Sequence, residues 1–287
     1  MRIDELFRKK EVTLSFEVFP PKTDAGYEAV SKAASEIAAL KPDFMSVTYG
    51  AGGGTSKNTA NIAAQLQNES GVPVLAHLTC VSSTKELVKS VISEYKAKGI
   101  ENIMALRGDI PKEGRIAFDY NHATELIYDI KSIDDSFCIG GACYPEGHVE
   151  CERQSEDILH LKEKVEAGCD FLTTQMFFDN STLYQFLYRI REKGIEVPVV
   201  PGIMPITNAK QVGRSVALSG STVPQKMKIM VDRFADDPDK MKEAGIIYAC
   251  DQIIDLISNG VSHIHVYSMN KPEIAAGIMK NLSTIIR

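Results

Sequence analysis

Glu17 is the first residue whose type is at odds with its surroundings. It sits in Ser15-Phe16-Glu17-Val18-Phe19-Pro20-Pro21. Phe16, Val18 and Phe19 have the apolar, partly aromatic content of a buried strand, and the two prolines end any ladder because neither nitrogen can donate a hydrogen bond. A carboxyl inside such a run must find a partner or hold its proton, since an isolated buried carboxylate is costly. An acid kept in that condition near neutral pH is a candidate general acid. A carboxylate facing water from an edge strand is the competing assignment, and this stretch alone leaves both open.

Comparable side chains recur along the chain: Thr48 and Tyr49; His77 and Thr79; Arg107 and Asp109; Tyr144, Glu146 and His148; Gln175; Gln211; and Tyr267, Asn270 and Lys271. Arg107 offers a fork of donors suited to phosphate, and Asp109 a carboxylate beside it. Gly50-Ala51-Gly52-Gly53-Gly54-Thr55-Ser56-Lys57 lacks the Gly-Lys-Ser/Thr ending of a P-loop, and reads as a loop over which a ligand approaches the backbone. The histidines are too scattered for paired metal-ligand spacing, so no metal site is expected, and no Gly-x-Ser-x-Gly elbow supports a serine hydrolase.

The polar positions fall at the ends of apolar runs. Strand-like segments lie at 13–19, 44–48, 72–79, 100–106, 137–143, 171–175, 197–200 and 263–267. Between them run helical patterns at 27–40, 57–69, 84–98, 121–133, 155–167 and 182–193, two or three helices from 208 to 258, and a last helix at 271–285. A short helix within 1–11 is expected to lie over the bottom of the fold. Lys98-Gly99, Ala167-Gly168 and Lys193-Gly194 supply glycines that end helices in the left-handed conformation. Strands alternating with helices imply right-handed crossovers and a parallel sheet. About eight such units of roughly 30 residues predict a single-domain (β/α)8 TIM barrel over 1–287, an α/β fold whose active site gathers at the C-terminal ends of the strands. A doubly wound sheet is the alternative, weakened by the lack of a Gly-x-Gly-x-x-Gly after the first strand.

Hydrophobic residues at 44% and charged residues at 24% fit an ordinary globular protein with a packed core. A formal net charge of -6 argues against nucleic acid as partner, which needs a basic surface. No apolar run approaches a membrane span, so no membrane association is expected. Six cysteines without a CxxC, and no secretory leader before the first strand, point to a reducing cytoplasm.

Six stretches taken together carry a resemblance: Ser-Phe-Glu-Val-Phe-Pro-Pro at 15–21, Ser-Val-Thr-Tyr-Gly-Ala at 46–51, His-Leu-Thr-Cys at 77–80, Ala-Leu-Arg-Gly-Asp at 105–109, Tyr-Pro-Glu-Gly-His at 144–148 and Pro-Gly-Ile-Met-Pro at 201–205. In this order, over nearly the whole chain, they resemble the methylenetetrahydrofolate reductase family, bacterial type. The resemblance implies an FAD-containing (β/α)8 barrel that reduces 5,10-methylenetetrahydrofolate to 5-methyltetrahydrofolate with NADH or NADPH, serving methionine and one-carbon metabolism. By the same resemblance, Glu17 is the general acid and Asp109 the carboxylate beside flavin and pterin. FAD contacts fall on Thr48, Tyr49, Ala51, His77, Arg107, Gly108, Asp109, Tyr120, Ala142, Tyr144, His148, Asp157, His160 and Lys164, and folate contacts on Gln175, Gln211, Tyr267 and Lys271. The expected assembly is a homo-oligomer; a flavin subunit working with a second, metal-containing subunit, as in some anaerobes, stays open. Departures from the family pattern are Ser215 in place of a ligand-stacking Phe, His160 in place of Asn, and Lys271 in place of Arg. No counterpart of the eukaryotic regulatory domain follows the barrel, so feedback by S-adenosylmethionine is not expected.

Overall fold

The computed structural model describes residues 1–21, 24–49, 56–110 and 114–286. Nine parallel strands form one sheet: β1 (Thr13–Val18), β2 (Phe44–Val47), β3 (Val74–Thr79), β4 (Asn102–Leu106), β5 (Cys138–Cys143), β6 (Phe171–Thr174), β7 (Val199–Val200), β8 (Gly202–Ile203) and β9 (His263–Val266). Their order is β7-β6-β5-β4-β3-β2-β1-β9-β8. From β1 to β7 consecutive strands are neighbours, and β1 is flanked by β2 and β9, which a doubly wound sheet would not give. Glu17 is thus on an interior strand, which removes the edge-strand alternative.

The expected seventh strand is broken in two. Pro201 has no N–H to continue the ladder, so β7 pairs with β6 and, one residue later, β8 pairs with β9. The same stretch of chain therefore serves both open edges and closes the barrel at eight positions. The Gly202 N–H, turned away from β6's backbone, donates instead to Thr174 Oγ1 at 2.8 Å.

The helices follow their predicted places: α1 (Ile3–Lys9), α2 (Tyr27–Ala38), α3 (Ser56–Ser70), α4 (Lys85–Ala97), α5 (Ala123–Ile133), α6 (Gln154–Glu166), α7 (Asn180–Glu192), α8 (Ala209–Ser219), α9 (Gln225–Phe234), α10 (Pro238–Ser258) and α11 (Pro272–Asn281). The interval from 208 to 258 resolves into three helices. Gly99, Gly168 and Gly194 have φ of 70°, 114° and 74°, the left-handed conformation that ends their helices.

Side-chain alternation divides the apolar residues of the strands between two cores. Leu14, Phe16 and Val18 of β1, with Met45 and Val47 of β2, point outward and pack with the helices in one continuous core. Inside the barrel, at the N-terminal ends of the strands, Phe44, Leu75, Cys138, Phe171 and Val200 meet Ile3, Leu6 and Phe7 of α1. Phe7 stands edge-on to Phe171 and stacks on His263, with ring centroids 5.4 and 4.3 Å apart. Asn102 fixes this plug: its Oδ1 accepts the Ile3 N–H at 2.8 Å while its Nδ2 donates to Val74 O at 3.1 Å. Helix α1 therefore seals the bottom of the barrel.

Candidate active site

At the other end of the same strands the inward positions are polar. Ser15 and Glu17 of β1, Ser46 of β2, His77 of β3 and His265 of β9 share the barrel interior, and the register sets Glu17 beside Ser46 and Ser15 beside His265. Glu17 Oε2 lies 3.5 Å from Ser46 Oγ, 3.8 Å from His77 Nε2 and 3.9 Å from His265 Nε2. The Ser15 hydroxyl donates to Ile264 O at 3.1 Å, so at 2.8 Å from His265 Nδ1 it accepts that nitrogen's proton. In the neutral ring, Nε2 then carries the lone pair, 3.3 Å from Ser46 Oγ. The Ser46 hydroxyl has one proton and two acceptors in reach, His265 Nε2 and Glu17, and so links the buried imidazole to the carboxyl.

His77 is a neutral neighbour. Burial drives its pKa down to about 4; the Glu17 carboxylate pulls upward and His265 pushes down again. Tyr267 walls the same floor, edge-on to His265 at 5.2 Å, and its hydroxyl donates to Thr174 O at 2.7 Å. Burial first, then Glu17, holds that phenol well above its usual range, so it stays protonated. Gly202 makes room for it: a Cβ there would collide with the Tyr267 hydroxyl at 2.5 Å and with Thr174 O.

Above this floor opens a cleft of about 1000 Å³, lined by the C-terminal strand ends and the loops after them. It brings together Glu17, Thr48, Tyr49, His77, Arg107, Gly108, Asp109, Ala142, Tyr144, His148, Asp157, His160, Lys164, Gln175 and Tyr267. Arg107 is held by Glu150, donating from both terminal nitrogens at 2.6 and 3.0 Å. That pairing, ahead of the opposing effect of burial, raises its pKa. Lys164 Nζ donates to Ala142 O at 2.6 Å, and burial lowers its pKa. His148 Nδ1 accepts the Glu150 N–H at 3.1 Å, which leaves the neutral ring's proton on Nε2. Burial pushes the Tyr144 phenol up to about 12, and its ring meets that of His148 edge-on at 4.5 Å. His160 stacks near His122, with centroids 6.1 Å apart.

Three predicted residues stand outside the cleft. Tyr120 is 1% exposed and donates its hydroxyl to Asp129 at 2.8 Å, its ring having been drawn into the helix-side core. Gln211 is occupied locally, its Oε1 accepting from Thr207 N at 2.8 Å, and the nearby Ser215 is buried. Lys271 is the N-cap residue of α11. Ala51, with its glycine-rich neighbours, lies outside the described residues. Conversely, Ser46, His265 and Glu150 take part without having been singled out. The period-2 spacing of His263, His265 and Tyr267 was the available signal for His265, since it puts all three on one strand face. Among the described residues no three His, Cys, Asp or Glu side chains converge as a metal-binding set, and no helix is long and apolar enough to cross a membrane.

The solved structure of an uncharacterized protein from Clostridium thermocellum that binds two copies of 5-methyl-5,6,7,8-tetrahydrofolic acid is similar in fold, with a TM-score of 0.67 at 13% identity, covering 99% of this chain and 100% of that one. The 5,10-methylenetetrahydrofolate reductase of Pectobacterium carotovorum subsp. carotovorum is 35% identical over 271 residues, 94% of this chain and 90% of that protein. That of Escherichia coli (strain K12) is 34% identical over 272 residues, 95% and 91% of the two chains. Methylenetetrahydrofolate reductase (NADH) 1 of Arabidopsis thaliana is 32% identical over 298 residues, 99% of this chain but 50% of the plant protein. The family model described as methylenetetrahydrofolate reductase matches residues 2–283. With that match over nearly its whole length, the chain belongs to the methylenetetrahydrofolate reductase family.

Proposed function

We infer that the chain reduces 5,10-methylenetetrahydrofolate to 5-methyltetrahydrofolate, with FAD held in the cleft and NADH or NADPH as the hydride source. Family membership supports the overall reaction, and the NADH in the Arabidopsis relative's name supports that donor. The observation that carries the chemistry is the placement of Glu17 Oε2 within 3.5–3.9 Å of Ser46, His77 and His265 at the base of an open cleft.

The donor set suits a dinucleotide. The cleft's 1000 Å³ is at the large end of small-molecule sites. Arg107 and His148 would hold the diphosphate and ribose side, with Thr48, Tyr49, Ala142, Tyr144, Asp157, His160 and the buried Lys164 around them. FAD, when bound, supplies the hydride chemistry that no protein side chain provides. Gln175 and Tyr267 flank the floor on which a pterin would rest beside Asp109. Opening the methylene bridge requires a proton on the departing folate nitrogen, and Glu17 is the carboxyl on the barrel floor that can give it. The carboxylate so formed is met by the Ser46 hydroxyl, whose other acceptor in reach is His265 Nε2. His77 stays neutral and adds no competing charge.

The two half-reactions separate this role. Hydride transfer from nicotinamide needs no proton on folate, whereas bridge opening does. Glu17→Gln should purify with its flavin and bleach with NADH at nearly the parent rate, yet reoxidise with methylenetetrahydrofolate slower by about 10² to 10⁴, the usual contribution of a positioned acid. Stopped-flow absorbance on each half is the measurement. Equal slowing of both halves, or no slowing of the second, would remove Glu17 from this role.

A further inference from the structure

Of the side chains lining the described cleft, Arg107 and Lys164 are the fixed cations, facing eight carboxylates. Lys164 is already committed to Ala142 O in a buried position. Arg107 is therefore the group left to meet an anion, yet its guanidinium fork is taken by Glu150 in a two-point contact, with Nε turned to Gly108 O at 3.2 Å. The two residues come from different segments, Arg107 from the end of β4 and Glu150 from the loop between β5 and α6. Arg107 is 25% exposed and Glu150 53%, so this pair is wetted on the acid's side and easily exchanged.

A carboxylate in two-point contact with a guanidinium has the shape and charge of one face of a phosphate. We propose that Glu150 is an internal stand-in for the ligand's phosphate: it occupies Arg107 until an anionic ligand displaces it, and so sets the affinity of the cleft for diphosphate-bearing molecules. This rests on the reading of the cleft as an FAD site, and it adds a residue that works against binding. The geometry explains why displacement is feasible. Glu150 is anchored through its backbone N–H, which donates to His148 Nδ1, so its side chain can leave Arg107 without unmaking the loop. Were the carboxylate to stay, it would face the incoming phosphate at like charge.

A purely positioning role for Glu150 predicts the opposite sign, because a residue that holds Arg107 ready would help the ligand. The test is calorimetric titration of the full-length chain, freed of flavin, with three probes: FAD, ADP as the diphosphate without the ring, and riboflavin as the ring without phosphate. Glu150→Gln should tighten FAD and ADP by about fivefold, the fold-change that corresponds to losing one exposed competing pair, and leave riboflavin unchanged. Arg107→Gln should weaken FAD and ADP by about tenfold or more. Adding Glu150→Gln to Arg107→Gln should then change nothing further, since the acid has no fork left to block. Weaker or unaltered ADP and FAD binding in Glu150→Gln overturns the proposal, as does tightening that persists without Arg107. Inorganic pyrophosphate separates this from the cofactor assignment. If FAD fails to bind the parent chain while pyrophosphate binds and tightens in Glu150→Gln, the FAD reading falls and the stand-in survives.

Discussion

The two ends of the barrel are built from the same strands and have opposite contents. At the N-terminal end the inward side chains are Phe44, Leu75, Cys138, Phe171 and Val200, closed by α1. Two residues further along β2 and β3 the inward positions become Ser46 and His77, beside Glu17 of β1, open to a cleft. The lower layer gains from burial and dispersion and has little to offer a ligand. The upper layer presents polar groups to the cleft, and it depends on the lower layer to hold the strands in register. Stability and chemistry are thus separated along the barrel axis, as expected when catalytic groups stand at the C-terminal strand ends.

Substitutions at the two ends should therefore read out differently. Phe171→Ala removes a fully buried ring that packs on Phe7 and against Gly140. It should cost about 3–5 kcal/mol in urea unfolding while the turnover of the molecules that remain folded changes little. If turnover per folded molecule collapsed instead, the two layers would not be separable. Gly202→Ala tests the seam where both layers meet. Its new methyl group would press on Thr174 O and the Tyr267 hydroxyl, and should cost about 1–3 kcal/mol together with a higher KM for folate. An unchanged KM would show that Tyr267 does not border the pterin.

The upper layer carries a pH dependence of its own. His77 titrates near 6.5 when unfolded and only near about 4 when folded, because burial disfavours its charged form. Its contribution to stability is therefore complete above pH 6.5 and drains as pH falls toward 4, at up to about 1.4 kcal/mol per unit. Urea midpoints of the parent and of His77→Gln across pH 4–7 should converge toward the acid end; parallel curves would show that His77 is not held neutral. Smallest of all, Lys226→Ala breaks the exposed pair with Asp251, remote from both layers. It should alter stability by no more than about 1 kcal/mol and leave both half-reactions as they were.

What the sequence showed and what it hid divide along the same physical line. Strand and helix positions rest on local periodicity and on helix-ending glycines such as Gly99 and Gly168, so they could be read along the chain. Glu17 was visible as an acid among aromatic neighbours. Its partners were not, because Ser46 reaches it only when β2 pairs beside β1, and His265 only once the barrel closes and sets β1 against β9, about 250 residues away in sequence. The break at Pro201, which makes closure work, shows locally as nothing more than Pro-Gly. Motif resemblance carries residue identity but not side-chain direction. Tyr120 and Gln211 match by type, but their polar groups are engaged by Asp129 and Thr207 outside the cleft. The contact between Arg107 and Glu150 joins two loops, and no spacing along the chain announces it.

The most direct test of the central claim, that the polar end of this barrel is a flavin site serving folate reduction, is the anaerobic absorbance of the purified full-length protein. The account predicts a flavin band at roughly 450 nm that bleaches on adding NADH or NADPH and returns on adding methylenetetrahydrofolate. A colourless protein that gains no such band when mixed with FAD, or a bleached flavin that methylenetetrahydrofolate leaves reduced, would contradict it.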